Sequence, residues 1–392
     1  MRSFAWIIGC LAACGRVGFH DSSDHKADAE AGAVVGELAF YKVISIDREK
    51  NVGGVDLANL PIAIRVTDPD LRLANLGGKL ETGSDLAFFD SDGATPLAFE
   101  IERLSLDTGD LLAWVKVPLL SATTETRLVL AFGDPDASGG FEDRAATWSD
   151  GYAGVWHLGG ESYTGVADEV IDATGAHPGT ATAGVTSQTA GKLARAAELA
   201  GNCANISMGA SPALQPSSVT VSAWVMPRDI GVGGDRIATI VAQDYWRGAG
   251  DAQGYYLEVF RSVSRPEAAF YSANGQRGLL AYATGTSVAN GTWHHIVGTY
   301  DAATETISVY LDGRLAGTAT LSAPLEYLDN RVQIGCSSSG WWRGAIDEVR
   351  ISGTAHSAAR IATEYLNQSD PAAFVTVGPT VPATSLPLSS AR

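Results

Sequence analysis

Positive charge is scarce in this chain. Only six of its 392 residues are lysine, and Lys and Arg together number 27 against 44 Asp and Glu, a net charge of −17. A surface of that sign repels phosphate backbones, which argues against nucleic acid as a partner. Long hydrophobic runs are missing too. After the N-terminus no stretch approaches the roughly 20 apolar residues that a membrane helix needs. Charged residues make up only 18% and hydrophobic residues 45%, too apolar a balance for a disordered chain. There is no G-x-S-x-G, no phosphate-binding loop and no sustained helical period. Glycine, at 44 residues, is plentiful. The balance describes an acidic, turn-rich β protein.

The N-terminus reads as an address. Met1-Arg2-Ser3 is a short positive start, and residues 4–13 (FAWIIGCLAA) are an apolar run that suits a secretory leader and is too short to span a bilayer. The run ends in Leu11-Ala12-Ala13-Cys14, which resembles the bacterial lipobox, whose cysteine is lipidated. Cys10 is a second possible acceptor with a shorter apolar lead, and an ordinary signal peptide with incidental cysteines is the other reading. The expectation is a leader over residues 1–13 and a lipid-anchored tether over 14–36. It places the protein in a bacterial cell envelope, at the outer membrane, touching the membrane through the lipid alone. Cys203 and Cys336 then remain. In an oxidising compartment they are a candidate disulfide, the alternative being two separate buried thiols.

From Phe40 onward a β pattern begins. In residues 60–66 (LPIAIRV) Ile62, Ile64 and Val66 share one face. Further extended stretches at 41–46, 86–89, 97–101, 112–118 and 126–133 are broken by turn clusters, which predicts a small β-sandwich over 37–135. A polar linker is expected over 136–150 and a second β region over 151–378. In residues 219–225 (VTVSAWV) Val219, Val221, Ala223 and Val225 share a face, with Trp224 opposite. Asp312-Gly313 between two alternating runs signals a two-residue hairpin. Only residues 357–367 suggest a helix, with Ile361, Tyr365 and Leu366 as its apolar stripe. A disordered tail is expected over 379–392.

Five motifs carry a resemblance. They are residues 172–175 (DATG), 219–225 (VTVSAWV), 291–301 (GTWHHIVGTYD), 309–313 (VYLDG) and 344–351 (GAIDEVRI). In this order they resemble a LamG-like jellyroll of the concanavalin A-like lectin/glucanase superfamily. Residues 59–62 (NLPI), 83–86 (GSDL), 89–93 (FDSDG) and 114–118 (WVKVP) resemble a bacterial domain-of-unknown-function family often placed directly before such jellyrolls. The fold class expected is all-β, two β-sandwiches with the second a jellyroll. The resemblance also implies one structural calcium, with Asp172 and Asp347 as candidate oxygen ligands. The competing assignment is a turn-capping Asp172 and a buried, hydrogen-bonded Asp347.

Catalytic patterns are thin. Laminarinases of this superfamily present acids on one strand as E-x-D-x-x-E, and retaining glycosidases hold their two carboxyls roughly 5–5.5 Å apart. Here Asp347 and Glu348 are adjacent, and strand alternation sends neighbours to opposite faces. No catalytic residue is therefore assigned. The same argument keeps His294 and His295 from chelating one ion, and His157 reads as packing. Asp90, Asp92, Asp134 and Asp136 sit in turns that lack the further ligands of an EF-hand. Loop aromatics beside an arginine are the candidate ligand contacts: Tyr245 and Trp246, and Trp341, Trp342 and Arg343. The leading expectation is a non-enzymatic envelope lipoprotein whose jellyroll binds carbohydrate or a surface protein. A glycoside hydrolase or lyase and a spacer without a ligand are the alternatives.

Overall fold

A computed structural model describes residues 38–133, 140–188, 190–229, 237–245, 253–261, 266–274, 279–282, 287–327, 331–338 and 340–385. The leader, Cys14, the tether, Asp134, Asp136 and Trp246 lie outside the described residues.

The first sandwich is built from β1 (Phe40–Ile46), β2 (Leu57–Thr67), β3 (Leu86–Asp90), β4 (Phe99–Ser105), β5 (Asp110–Leu120) and β6 (Thr126–Phe132). Strands β1, β6 and β3 form one antiparallel sheet, and β2, β5 and β4 form the other. Their inward alternation fills the core between them: Ile62, Ile64 and Val66 of β2 meet Leu111, Ala113 and Val115 of β5 and Leu128 and Leu130 of β6. Burying such side chains contributes roughly 1.5–3 kcal/mol each.

The jellyroll uses β7 (Tyr152–Trp156), β8 (Thr180–Ala181), β9 (Val185–Gln188), β10 (Ala196–Ala200), β11 (Ile206–Ser207), β12 (Val219–Pro227), β13 (Ile237–Tyr245), β14 (Gln253–Arg261), β15 (Pro266–Asn274), β16 (Leu279–Tyr282), β17 (His294–Asp301), β18 (Thr306–Leu311), β19 (Arg314–Thr320), β20 (Val332–Ile334) and β21 (Arg343–Ser352). Two sheets result. One runs β19-β18-β17-β12-β21-β10-β9, with β7 also on β21, and is called the inner sheet below. The other, the outer sheet, runs β16-β15-β14-β13-β20-β11-β8. Val219, Val221, Ala223 and Val225 enter the core between them, as do Ile307, Val309 and Leu311. The hairpin between β18 and β19 turns at Asp312 (φ +50°) and Gly313 (φ +75°), the two positive φ angles that such a turn requires.

The two sandwiches are stacked, not strung apart. The face of β2 and β5 turned away from the first core carries Ala63, Leu112 and Trp114, which pack with Trp148, Val155, Ala173 and Leu193. Trp148 follows the short helix α1 (Arg144–Thr147). The expected polar linker over 136–150 is thus corrected at its end, where α1 and a fully buried tryptophan belong to the junction.

Helix α2 (Ala358–Ser369) is capped by Ser357, whose hydroxyl accepts from Arg360 N at 3.2 Å. It covers part of the inner sheet, where Ile361 packs on Val297 and Tyr310. Its Asn367 pairs the free edge of β2 by accepting from Ala63 N and donating to Ala63 O, both at 2.8 Å. Capping an open edge in this way removes unpaired backbone groups. Beyond α2 the chain returns to the first sandwich. Strands β22 (Thr376–Val377) and β23 (Val381–Pro382) both pair with β1, and Phe374 enters the first core. The expected boundary at 378 and the disordered tail from 379 are therefore corrected for the described residues up to 385.

Candidate functional site

Among the described residues, polar side chains gather beside two cavities. The first is an open groove on the outer sheet. Thr180 of β8, Ser207 of β11 and Gln333 of β20 stand in one cross-strand row. Their neighbours Ala181, Ile206 and Ile334 point into the core, so the period of two turns the row outward. With Asp168, Asn205 and Arg331 they line a cavity of about 580 Å³. Gln333 Nε2 donates to Asn205 Oδ1 (3.2 Å), and Asn205 Nδ2 donates to the Cys203 carbonyl (2.8 Å).

Cys203 and Cys336 are joined, with Cα atoms 5.0 Å apart. The bridge ties the approach to β11 to the exit of β20 and so holds the groove's two central strands together. Of the aromatics expected to grip a ligand, Trp341 is 40% exposed and lies beside Gly201, close to the bridge. Trp342 is corrected: it is fully buried in the jellyroll core. Arg343 is exposed and pairs with Asp229 at 3.2 Å. Tyr245 ends β13, and its side chain lies outside the described residues.

The second place is the junction of the two sandwiches. On β4, Phe99 and Ile101 pack with the first core, so Glu100 and Glu102 both face the jellyroll. Opposite them a bulge interrupts β21. Trp224 pairs with Asp347 and Ser222 with Arg350, which leaves Glu348 and Val349 opposite Ala223 alone. Glu348 takes φ +52°, a left-handed conformation costing of order 1–3 kcal/mol outside glycine. Ile346 and Val349 both reach the core, so Asp347 and Glu348 emerge together on the other face. The expectation that these adjacent acids point apart is overturned by this extra residue.

His157 sits between the two sets of acids. Its Nδ1 is 2.9 Å from Glu348 Oε1 and 3.8 Å from Glu102 Oε2, and its Nε2 is 3.1 Å from Glu100 Oε2. The ring stacks on Trp114 at 5.8 Å. Packing, as expected, is therefore only part of its environment. Trp114 Nε1 donates to Glu102 Oε2 (2.8 Å), and Trp148 Nε1 donates to Glu100 Oε2 (2.6 Å). Arg350 donates to Glu348 Oε2 at 2.7 Å and lies over the rings of Trp114 and Trp148.

Burial first, and then the charge of Glu348, pushes the Glu102 carboxyl up to about 8. Asp347 is held well above the usual carboxylate range by burial and then by Glu348 and Glu102. Burial works against the charged form of His157, yet Glu348 and Glu100 hold the imidazole well above its ordinary value. The cluster so arranged can share protons and bind a cation. A cavity of about 200 Å³ adjoins it, lined by Glu100, Glu102, His157 and Tyr163 among others.

Asp172 and Asp347, the pair expected to share calcium, accept from separate donors. Asp172 takes the N–H groups of Val155, Thr174, Ala176 and His177 and the Thr174 hydroxyl. Asp347 takes those of Lys192, Leu193 and Glu348. His295 is buried against Trp224 at 5.1 Å, as the packing assignment predicts, and His294 pairs with Asp312 at 2.9 Å.

Sequence reasoning missed the junction cluster. Part of its signal was present: Glu100-Ile101-Glu102 places two acids on one face of a strand.

Among solved structures, domain 4 of the extracellular arabinanase AbnA from Geobacillus stearothermophilus, in complex with arabinotriose, is 18% identical, with 55% of this chain and 98% of that one covered and a TM-score of 0.41. The binding domain of Paraclostridial Mosquitocidal Protein 1 is 12% identical (56% and 52% covered, TM-score 0.44). The botulinum neurotoxin serotype G binding domain is 16% identical (56% and 51%, TM-score 0.41). This chain thus spans about half of each of the two toxin chains. No curated protein matches its sequence. Residues 200–362 match the Concanavalin A-like lectin/glucanases superfamily and residues 82–155 match a domain of unknown function (DUF2341), so the chain carries a concanavalin A-like jellyroll with that second domain ahead of it.

Proposed function

We propose that the protein is a non-enzymatic, lipid-anchored envelope protein that binds carbohydrate in the groove of its outer sheet. The observation that carries this reading is the lining: two hydroxyls and an amide in a row across three strands, with the Asn205 amide beside them and Asp168 and Arg331 flanking. Such groups match the alternating donors and acceptors of a sugar's hydroxyls. The disulfide pre-organises the strands that present them, which lowers the ordering cost of binding. Among the described residues Asp168 is the one carboxylate in that lining, whereas two-carboxylate glycoside hydrolysis needs a pair. The lipobox resemblance at Cys14 supports the anchor.

The test is a glycan array with the purified protein. Reproducible hits without cleavage, lost in Gln333→Ala and Arg331→Ala, support the reading. Product formation would replace it with the hydrolase, and silence across the array would remove carbohydrate as the ligand. Cys14→Ser should move the protein from the membrane to the soluble fraction.

A further inference from the structure

We propose that Glu102, His157 and Glu348 hold a divalent transition-metal cation where the two sandwiches meet. Their ligand atoms all lie within 4.8 Å of one another. A zinc ion sits roughly 2.0–2.2 Å from nitrogen and oxygen ligands, so its ligands stand about 3–3.5 Å apart. His157 Nδ1 is 2.9 Å from Glu348 Oε1, and the Glu102 carboxyl comes within 3.8 Å of it through Oε2, the oxygen that Trp114 also holds. One imidazole with two carboxylates is a donor set for Zn²⁺ or Mn²⁺.

A second observation points to a ligand and not to ion pairing alone. The Glu102 side chain is only 5% exposed, yet its Oε1 has no partner. A buried acceptor left unpaired is costly, and a cation would satisfy it. The surrounding groups orient the three side chains. His157 Nε2 faces Glu100 and Nδ1 faces Glu348, so a cation taking the place of the Nδ1 proton would meet the Nδ1 lone pair while Nε2–H stays on Glu100. Arg350 holds Glu348 Oε2 while Oε1 faces His157 Nδ1, and the Trp114 indole holds Glu102 Oε2 and leaves Oε1 without a partner. Such outer contacts fix the orientation of ligands. Two ligands come from the jellyroll and one from the first sandwich, so the ion would bolt the sandwiches together. Its remaining position would open on the 200 Å³ cavity, with room for water.

The experiment titrates chelator-stripped full-length protein with Zn²⁺ and with Mn²⁺ by calorimetry. One equivalent is expected, with affinity falling at least tenfold in Glu102→Gln and in His157→Asn. It is expected to be unchanged in His20→Ala/His25→Ala, which removes the imidazoles of the acidic tether. Should the junction variants not fold, wild type still decides the matter. Substoichiometric Mn²⁺ should broaden the indole N–H signals of Trp114 and Trp148, which donate to Glu102 and Glu100, before that of Trp224, which donates to Gln368. Failure to bind, binding that survives Glu102→Gln, or broadening of Trp224 alongside the other two would overturn the proposal.

Discussion

The two sheets of the jellyroll have opposite fates on their outward faces. The face of the inner sheet is roofed by β2, β5, β4 and α2, and it buries Glu348, Asp347, Arg350 and His295. The face of the outer sheet is open at β8, β11 and β20, where the polar residues are hydroxyls and amides with one charge of each sign. Charge is thus concentrated on the covered face and thinned on the open one, the reverse of the usual distribution. Buried charges tolerate this only when paired and hydrogen-bonded. Hence the covered face must be rigid and specific, while the open one is free to change with a ligand.

The largest effect should come from breaking the roof. Trp114 is fully buried, stacks on His157 and lies under Arg350. Trp114→Ala should cost about 3–5 kcal/mol and split denaturant unfolding into two transitions. A single, unshifted transition would mean that the sandwiches do not depend on each other. Next in size is the bridge beside the open groove. Cys203→Ser/Cys336→Ser releases a sequence separation of 133 and should cost about 2–4 kcal/mol. A thermal melt measures this, and an unchanged midpoint would show that the groove strands hold without it.

A smaller effect tests the covered face by pH. Burial drives the His295 imidazole down to about 4, with the ring packed beside both Trp224 and Tyr365. Its stabilising contribution is then complete above an unfolded value of about 6.5 and disappears as pH falls through about 4. Melting midpoints should therefore fall more steeply between pH 6.5 and 4 in wild type than in His295→Phe, by an amount of order 2–3 kcal/mol at the acid end. Parallel curves would mean that this histidine is free to charge. The smallest stability effect belongs to the open face. Gln333→Ala should change folding by under about 0.5 kcal/mol while abolishing glycan capture. A loss of stability larger than that, measured in the same melt, would show the row to be structural.

Local rules carried much of the fold. Alternation in residues 60–66 and 219–225 placed Ile62, Ile64 and Val225 in their cores, and Asp312-Gly313 turned where it should, because these patterns depend on near neighbours alone. The loop pair Trp341-Trp342 looked alike in sequence. Only tertiary packing separates them, one buried and one beside Gly201.

What the sequence alone determined is the all-β class, the strand sites, the hairpin and the pairing candidates Cys203 and Cys336, each readable from short-range periodicity or from a cysteine count. What tertiary structure decided is the junction. Glu100 and Glu102 stand 246 and more positions from Glu348 in the chain, and no local pattern announces their meeting. The bulge at Glu348 reverses the side to which strand alternation assigns it, because β21 changes partners there, from β10 up to Ile346 to β7 from Val349. A side chain's direction along a strand is a property of its own backbone. Which acids share a buried cavity depends on how β4 and β21, 246 positions apart at Glu102 and Glu348, stack, and on the desolvation that the stacking imposes.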